Sequence, residues 1–179
     1  VSNLPEWIKA SPMTHTGNGS VSFNVESNPQ LQSRSATVRI NSTLGDHTHD
    51  IAFTQAAFQF ESSPVSHTFE AVDASATSFE VVCSGAWSFV GAPSWVTLSP
   101  ASGTGNMQVR IGVNNNVQTS PREAEFVLRS SLNGLERPIT VSQKQFEFDA
   151  SPESFSYEAI NSTSTPVSVV CMGGWTVQG

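Results

Sequence analysis

Residues 107–113 read Met-Gln-Val-Arg-Ile-Gly-Val, the most regular alternation of apolar and other residues in the chain. Successive side chains of a β-strand point to opposite faces, so this period of two predicts a strand with one buried face. Shorter runs of the same kind occupy residues 79–83, 124–128 and 139–141. No stretch shows the 3.6-residue apolar spacing of an amphipathic helix. The pattern therefore predicts an all-β chain.

Turn-forming residues separate these runs. Asn133-Gly134 is the pair typical of a tight hairpin, and loops rich in Ser, Pro, Gly and Asn occupy residues 99–106 and 114–121. About seven short strands at this spacing are typical of an antiparallel two-layer sandwich. We expect tandem immunoglobulin-like antiparallel β-sandwiches.

The sandwiches are expected in tandem because the chain matches itself at an offset of 88 positions without a gap. Pro5-x-Trp7 matches Pro93-x-Trp95, and Val81-Val82-Cys83 matches Val169-Val170-Cys171. The matches concentrate at Trp, Gly, Pro and alternating apolar positions, as expected of repeated modules.

The repeat predicts three segments. Residues 60–147 form a complete module, residues 1–59 the second half of one, and residues 148–179 the first part of another. Half a sandwich does not bury an apolar face by itself. We therefore expect self-association in which 1–59 and 148–179 complete one another, within one chain or between copies, as a closed dimer, ring or filament. The alternative is a piece excised from a longer array.

Composition and charge restrict the partners. The net charge is −7, and only 13% of the residues are charged. No Lys/Arg cluster is present, so neither nucleic acid nor an anionic membrane surface is an expected partner. No apolar run predicts membrane insertion, and the first residues are not a signal peptide. Abundant Ser, Thr, Asn and Gly favour an extracytoplasmic location, periplasmic or at the cell surface, and hence a processed or excised chain.

The central module closely resembles the BACON family. The residues that carry the resemblance are, in order, Trp87, Pro93-x-Trp95, Pro100-x-x-Gly103-x-Gly105-Asn106, Arg122 and Gln143. The resemblance implies an immunoglobulin-like β-sandwich of the kind found in Bacteroidetes, often beside polysaccharide-degrading enzymes. It implies no catalytic residues. His15 departs from the pattern, because it stands where the central module has Gly103.

The four tryptophans are the first candidates for a sugar-binding surface, because pyranose rings stack on exposed aromatic side chains. Trp87 and Trp175 alternate with apolar neighbours, whereas Trp7 and Trp95 each follow a Pro-x pair. All four lie at repeated positions. We expect them to pack in the core, as tryptophan does in immunoglobulin sandwiches, with a glycan platform as the alternative.

A loop rich in amides supplies the candidate ligand-binding residues, which are Asn114, Asn115, Asn116, Gln118 and Arg122. Amides can hydrogen-bond to sugar hydroxyls, and sandwiches place function in their loops. The alternative is that the amides are ordinary turn residues, and that Arg122, like Arg34, donates hydrogen bonds to loop carbonyls or a carboxylate.

Catalytic residues, metal sites and cofactors are not predicted. Glycoside hydrolysis needs two carboxylates across a cleft, whereas Glu123 and Glu125 lie two positions apart on one strand. Nucleophile-elbow, zinc-protease and phosphate-loop motifs are absent. His47 and His49 share one face of an extended strand, but the repeat lacks them at the equivalent positions, so we expect a solvated hairpin rather than a zinc site.

These observations favour a non-catalytic spacer or scaffold module of an exported surface protein in a polysaccharide-utilisation context. The alternative is a module that binds a polysaccharide or mucin glycan. A structural protein of a phage or pilus built on the same module also stays open.

Overall fold

The computed structural model describes residues 4–160 and 163–179, which contain β-strands and turns but no helix. The all-β prediction is confirmed. The chain divides into two units, unit 1 with residues Val1–Phe60 and unit 2 with residues Glu61–Gly179.

Unit 1 contains two antiparallel strand pairs: β1 (Ile8–Ser11) with β2 (Ser22–Val25), and β3 (Arg34–Asn41) with β4 (Thr48–Gln55). Ile8 and Val38 are buried. The rings of Phe23 and Phe53 meet edge to face, with their centroids 5.0 Å apart, so β2 packs against β4.

The central module, residues 60–147, contains nine strands: β5 (Phe60–Ser63), β6 (Ser66–Phe69), β7 (Thr77–Cys83), β8 (Ala86–Val90), β9 (Val96–Ser99), β10 (Ser102–Thr104), β11 (Met107–Val113), β12 (Arg122–Ser130) and β13 (Glu136–Gln143). One sheet has the order β10-β8-β12-β13-β6, and the other β5-β7-β11-β9. β6 pairs with β13 in parallel, whereas β7, β8 and β12 have antiparallel partners. This is the predicted two-layer arrangement.

The core of this module consists of the alternating apolar residues that the sequence pattern singled out. Val109 and Ile111 of β11 are fully buried, as are Leu128, Ile139 and Val141. Each such side chain contributes about 1.5–3 kcal/mol to folding by leaving water. An aromatic group completes the core, in which Phe89 contacts the rings of Trp87, Phe79 and Phe126 edge to face.

The turns also follow the sequence. Gly134 has a φ of 68° in the turn between β12 and β13, where a residue with a Cβ would be strained. The Ser-Pro peptide bonds at residues 11–12, 63–64, 99–100 and 151–152 are all cis, and they form two pairs related by the repeat.

The last segment, residues 148–179, contains one antiparallel pair, β14 (Phe148–Ser151) with β15 (Ser168–Cys171). Several of its large apolar side chains are exposed at positions that are buried in the central module, as Phe148 is at the position of Phe60. Trp175 is 54% exposed, for example, against 1% for Trp87. The segment therefore has the sequence of a core element without a core around it.

Candidate functional site

Arg122, at the start of β12, contacts other residues of the central module. Its guanidinium carbon lies 4.4 Å from the centre of the Trp95 ring. Its Nε donates to Oε1 of Gln143 over 2.8 Å, and its Nη2 donates to the main-chain oxygen of Asn114 over 2.6 Å. Gln143 is buried, and its amide nitrogen donates to the main-chain oxygens of Glu70, Ala71 and Asn114.

Unit 1 repeats this arrangement. Arg34 lies 4.5 Å from the centre of the Trp7 ring, and its Nε donates to Oε1 of Gln55 over 2.8 Å. Its Nη2 donates to the main-chain oxygens of Glu26 and Ser27. We call these groups the Arg-Trp-Gln clusters, formed by Arg122, Trp95 and Gln143 in the central module and by Arg34, Trp7 and Gln55 in unit 1.

Asn116 is also part of the framework. It is 1% exposed, its amide nitrogen donates to the main-chain oxygens of Ser120 and Lys144, and its Oδ1 accepts from the main-chain nitrogen of Gln118. Asn28 makes the corresponding three bonds in unit 1. The side chain of Asn116 therefore closes its loop and is not open to a ligand.

The other predicted ligand residues lie at the surface of the same loop. The side chains of Asn114, Asn115 and Gln118 are exposed, beside an exposed Val117. Asn115 accepts a hydrogen bond at Oδ1 from the main-chain nitrogen of Asp73. The structure thus brings the five candidates together in one loop, with Asn116 and Arg122 holding it from inside and the other three facing solvent.

The tryptophans differ in their surroundings. Trp87 is buried, and its indole nitrogen donates to the main-chain oxygen of Gly105 over 2.9 Å. Trp7 and Trp95 are half-buried under their arginines. Trp175 is exposed, contrary to the expectation that all four pack in the core. Trp87 and Trp95 do not form an open aromatic platform.

The histidines hold no metal cluster. His47 and His49 are exposed, and the neighbouring Asp50 pairs with Arg39. Within residues 4–160 and 163–179 no group of three or more His, Cys, Asp or Glu side chains is placed to hold a metal ion. The same residues include no helix that could span a membrane.

Two features had not been predicted from the sequence. His67, on β6, is buried against the Phe79 ring, and burial lowers the pKa of its imidazole. A cavity of about 420 Å³ also opens in unit 1. Its lining includes Thr14, His15 and Gly17 from one segment, and Ile40 and Asn41 from another. The substitution of His15 for the glycine at position 103 marked this region as different in the sequence.

Comparison with known proteins identifies the family. The BACON family model, described as "Putative binding domain, N-terminal", matches residues 1–56 and 85–144. No curated protein matches the sequence. Among solved structures, the chain matches that of a Bacteroides ovatus GH5 xyloglucanase in complex with a XXXG heptasaccharide, with 20% identity and a TM-score of 0.45 over 60% of this chain and 23% of that chain. Because the family model matches more than half of the residues, the chain belongs to the BACON family.

Proposed function

We propose that this chain is a non-catalytic spacer or scaffold of an exported surface protein, in a polysaccharide-utilisation context. The observation that supports the proposal is the Arg-Trp-Gln cluster, which occurs in both modules with almost the same distances. Arginine and tryptophan are residues that often bind ligands at protein surfaces. In both modules they are used to hold the protein's own backbone.

The cluster suits a mechanical role. In the central module it joins the loop after β11, the ends of β12 and β13, and the chain after β6. Hydrogen bonds to a charged group contribute about 1.5–3 kcal/mol, and a cation–π contact adds about 0.5–2 kcal/mol. A module whose loop and strand ends are held together in this way is suited to the role of a spacer.

The proposal includes the absence of catalysis. Its support is the position of Glu123 and Glu125, which are exposed and two residues apart on β12. Glycoside hydrolysis places its two carboxyl groups on opposite sides of the scissile bond in a cleft. Two carboxylates on the same side of one strand do not meet that requirement.

Binding of a polysaccharide or mucin glycan is the second candidate. The exposed amides of Asn114, Asn115 and Gln118 favour it, because amides on one exposed loop could hydrogen-bond to neighbouring sugar hydroxyls. The description of the family as a binding domain points the same way.

A glycan array and affinity gels cast with plant polysaccharides or mucin separate the two functions. A spacer gives no signal and no retardation. Binding that is lost on Asn115→Ala and on Gln118→Ala, but kept on Gln108→Ala, would replace the spacer with the glycan-binding function. Gln108 is a suitable control because it is an exposed amide on β11, outside the loop.

Self-association is the remaining part of the proposal. Among the described strands, β1 to β4 pair only with one another and β14 pairs with β15. In the central module the equivalent strands belong to sheets of four and five strands. Strands with unpaired edges are templates for pairing with another chain.

A further inference from the structure

The cavity in unit 1 corresponds to the place of strand β8 in the central module. There β8 lies between β10 and β12, with Trp87 opposite Gly103 on one side and opposite Ser130 on the other. At the offset of 88 residues, β10 corresponds to residues 14–16 of unit 1, and the end of β12 corresponds to residues 39–42.

Both segments of unit 1 contribute to the lining of the cavity. Thr14 and His15 come from the first segment, and Ile40, Asn41 and Ser42 come from the second. Among the described strands β3 pairs with β4 alone, so its other edge has main-chain groups without a neighbouring strand. The cavity is therefore a slot for one strand, with an unpaired strand edge along one side.

We infer that this slot receives residues 174–178 of a second copy of the chain, as an inserted β-strand. This inference rests on the proposed self-association and names its site. Residues 174–178 read Gly-Trp-Thr-Val-Gln and correspond to Ala86–Val90, which form β8. Trp175 and Val177 are 54% and 84% exposed, whereas Trp87 is 1% exposed. Insertion of a strand at a sheet edge is an established mode of peptide recognition.

The turn before the inserted strand already has the required form. The main-chain nitrogen of Gly173 donates to Sγ of Cys171 over 3.4 Å, and Gly85 donates to Cys83 over the same distance in the central module. After this turn Trp175 and Val177 are exposed, whereas β8 pairs with β10 and β12.

Unit 1 has counterparts of the residues that accept hydrogen bonds from Trp87 of β8 and from Cys83 at the end of β7. In the central module the indole nitrogen of Trp87 donates to the main-chain oxygen of Gly105, whose φ is 73°. Gly17 is its counterpart and has a φ of 80°, so its carbonyl belongs to a similar turn, and in the proposed insertion it takes the place of the Gly105 carbonyl as the acceptor for Trp175. Asn106, which accepts from the main-chain nitrogen of Cys83, corresponds to Asn18.

His15 hinders this insertion sterically, so its replacement provides a specific test of the inference. A Cβ added at Gly103 would lie 2.7 Å from a ring carbon of Trp87, and His15 has a Cβ at the corresponding position. Unit 1 compensates in part, because Gly19 replaces Met107 and the His15 ring lies over Gly19. The inserted indole therefore fits less closely than Trp87 does, and His15 limits the affinity.

Light scattering coupled to gel filtration, applied to the full chain over a range of concentrations, tests the inference. We expect a mass of two or more copies that decreases on dilution. Trp175→Ala should abolish association, whereas His15→Gly should tighten it by about tenfold because the steric conflict is removed. Leu132→Ala is the control for general apolar contact, since Leu132 is 47% exposed in the central module. Trp175 is exposed, so its loss leaves the core intact, which near-ultraviolet circular dichroism verifies.

Cross-linking identifies the register. A copy with Asn41→Cys is mixed with a copy with Thr176→Cys, and both copies also carry Cys171→Ser. The two cysteine positions are chosen because the equivalent residues Arg129 and Ser88 are opposite one another on β12 and β8. Directly opposite Cα atoms lie within disulfide range. A covalent dimer should form with Asn41→Cys and not with Thr54→Cys on β4.

A single-copy mass at all concentrations would overturn both the self-association and the slot. Association that is unchanged by Trp175→Ala, or cross-linking that is equal at Thr54→Cys, would overturn the slot alone. Glycan binding, measured separately, bears on neither.

Discussion

The guanidinium carbon of Arg122 lies 4.4 Å from the centre of the Trp95 ring, while its nitrogens donate to Gln143 and to the main-chain oxygen of Asn114. One side chain thus joins a half-buried aromatic ring, a buried amide and a loop carbonyl. Arg34 and Trp7 form the same contact in unit 1, which makes it a property of the module.

Arg122→Ala should therefore destabilise the central module by about 2–4 kcal/mol, because it leaves Gln143 and the carbonyl of Asn114 without their charged partner. Arg122→Lys should recover only part of the lost stability, since an ammonium group cannot stack on the ring and donate hydrogen bonds in two directions as the guanidinium does. Urea denaturation followed by tryptophan fluorescence gives the difference. The exposed Arg110 is the control, and its replacement by alanine should cost less than about 0.5 kcal/mol. Equal effects at the two positions would contradict the framework role of Arg122.

Asn116 provides a second test of the same loop. Its replacement by alanine leaves the carbonyls of Ser120 and Lys144 and the amide of Gln118 without their partner inside the protein. Each hydrogen bond contributes about 0.5–1.5 kcal/mol, so the loss of three should lower the free energy of unfolding by about 1.5–4.5 kcal/mol. The exposed side chain of Asn114 is the matched control, and Asn114→Ala should leave the urea midpoint almost unchanged. A normal midpoint for Asn116→Ala would show that the loop does not depend on this amide.

The sequence predicted the core better than the loop, for a physical reason. Burial of alternate residues leaves a local pattern, so Val109 and Ile111 could be assigned from their neighbours alone. Asn116 depends on a partner 28 residues away and Arg122 on one 21 residues away, and the same amide and guanidinium groups also suit a ligand site. The repeat did contain a signal. Asn116 and Arg122 recur as Asn28 and Arg34, whereas the counterparts of Asn114 and Asn115 are Glu26 and Ser27.

The exposed residues Asn114 and Asn115 differ between the two copies for the same reason. A residue that holds the fold must recur wherever the module recurs, whereas a residue that only faces solvent is free to change between copies. Comparison of the two copies inside this chain therefore assigns Asn116 and Arg122 to the framework and Asn114 and Asn115 to the surface, whereas Gln118 recurs as Gln30 although both are exposed.

His67 should make stability depend on pH. Its folded-state pKa is lowered by burial, so below about pH 6.5 the unfolded chain takes up a proton that the folded chain does not. The free energy of unfolding should be level above that pH and should fall as the pH decreases toward the folded-state pKa. Urea midpoints measured between pH 8 and pH 5 give the slope. His67→Phe should remove the contribution of His67 to this slope. Phenylalanine is chosen because the repeat has it at the equivalent position, Phe155.

His49 is the control for this measurement, because it is an exposed histidine. His49→Gln should keep the fall in stability that His67 causes, because it leaves His67 and its contact with the Phe79 ring in place. The same slope with and without His67 would show that other groups cause the acid sensitivity.

Gly103 and Met107 test how the module accommodates His15. Replacement of Gly103 by histidine in the central module places a Cβ 2.7 Å from the Trp87 ring and should cost about 1–3 kcal/mol, as overpacking does. The same Cβ also comes too close to the sulfur of Met107, and unit 1 has glycine at the equivalent position 19. Met107→Gly should therefore recover part of the loss caused by Gly103→His, even though it is destabilising alone. A double-mutant cycle of urea denaturation measures the coupling, which should be favourable and about 1 kcal/mol, as for residues in contact. Strict additivity would mean that His15 and Gly19 do not compensate for one another, and that the slot in unit 1 is narrower than the space around Trp87.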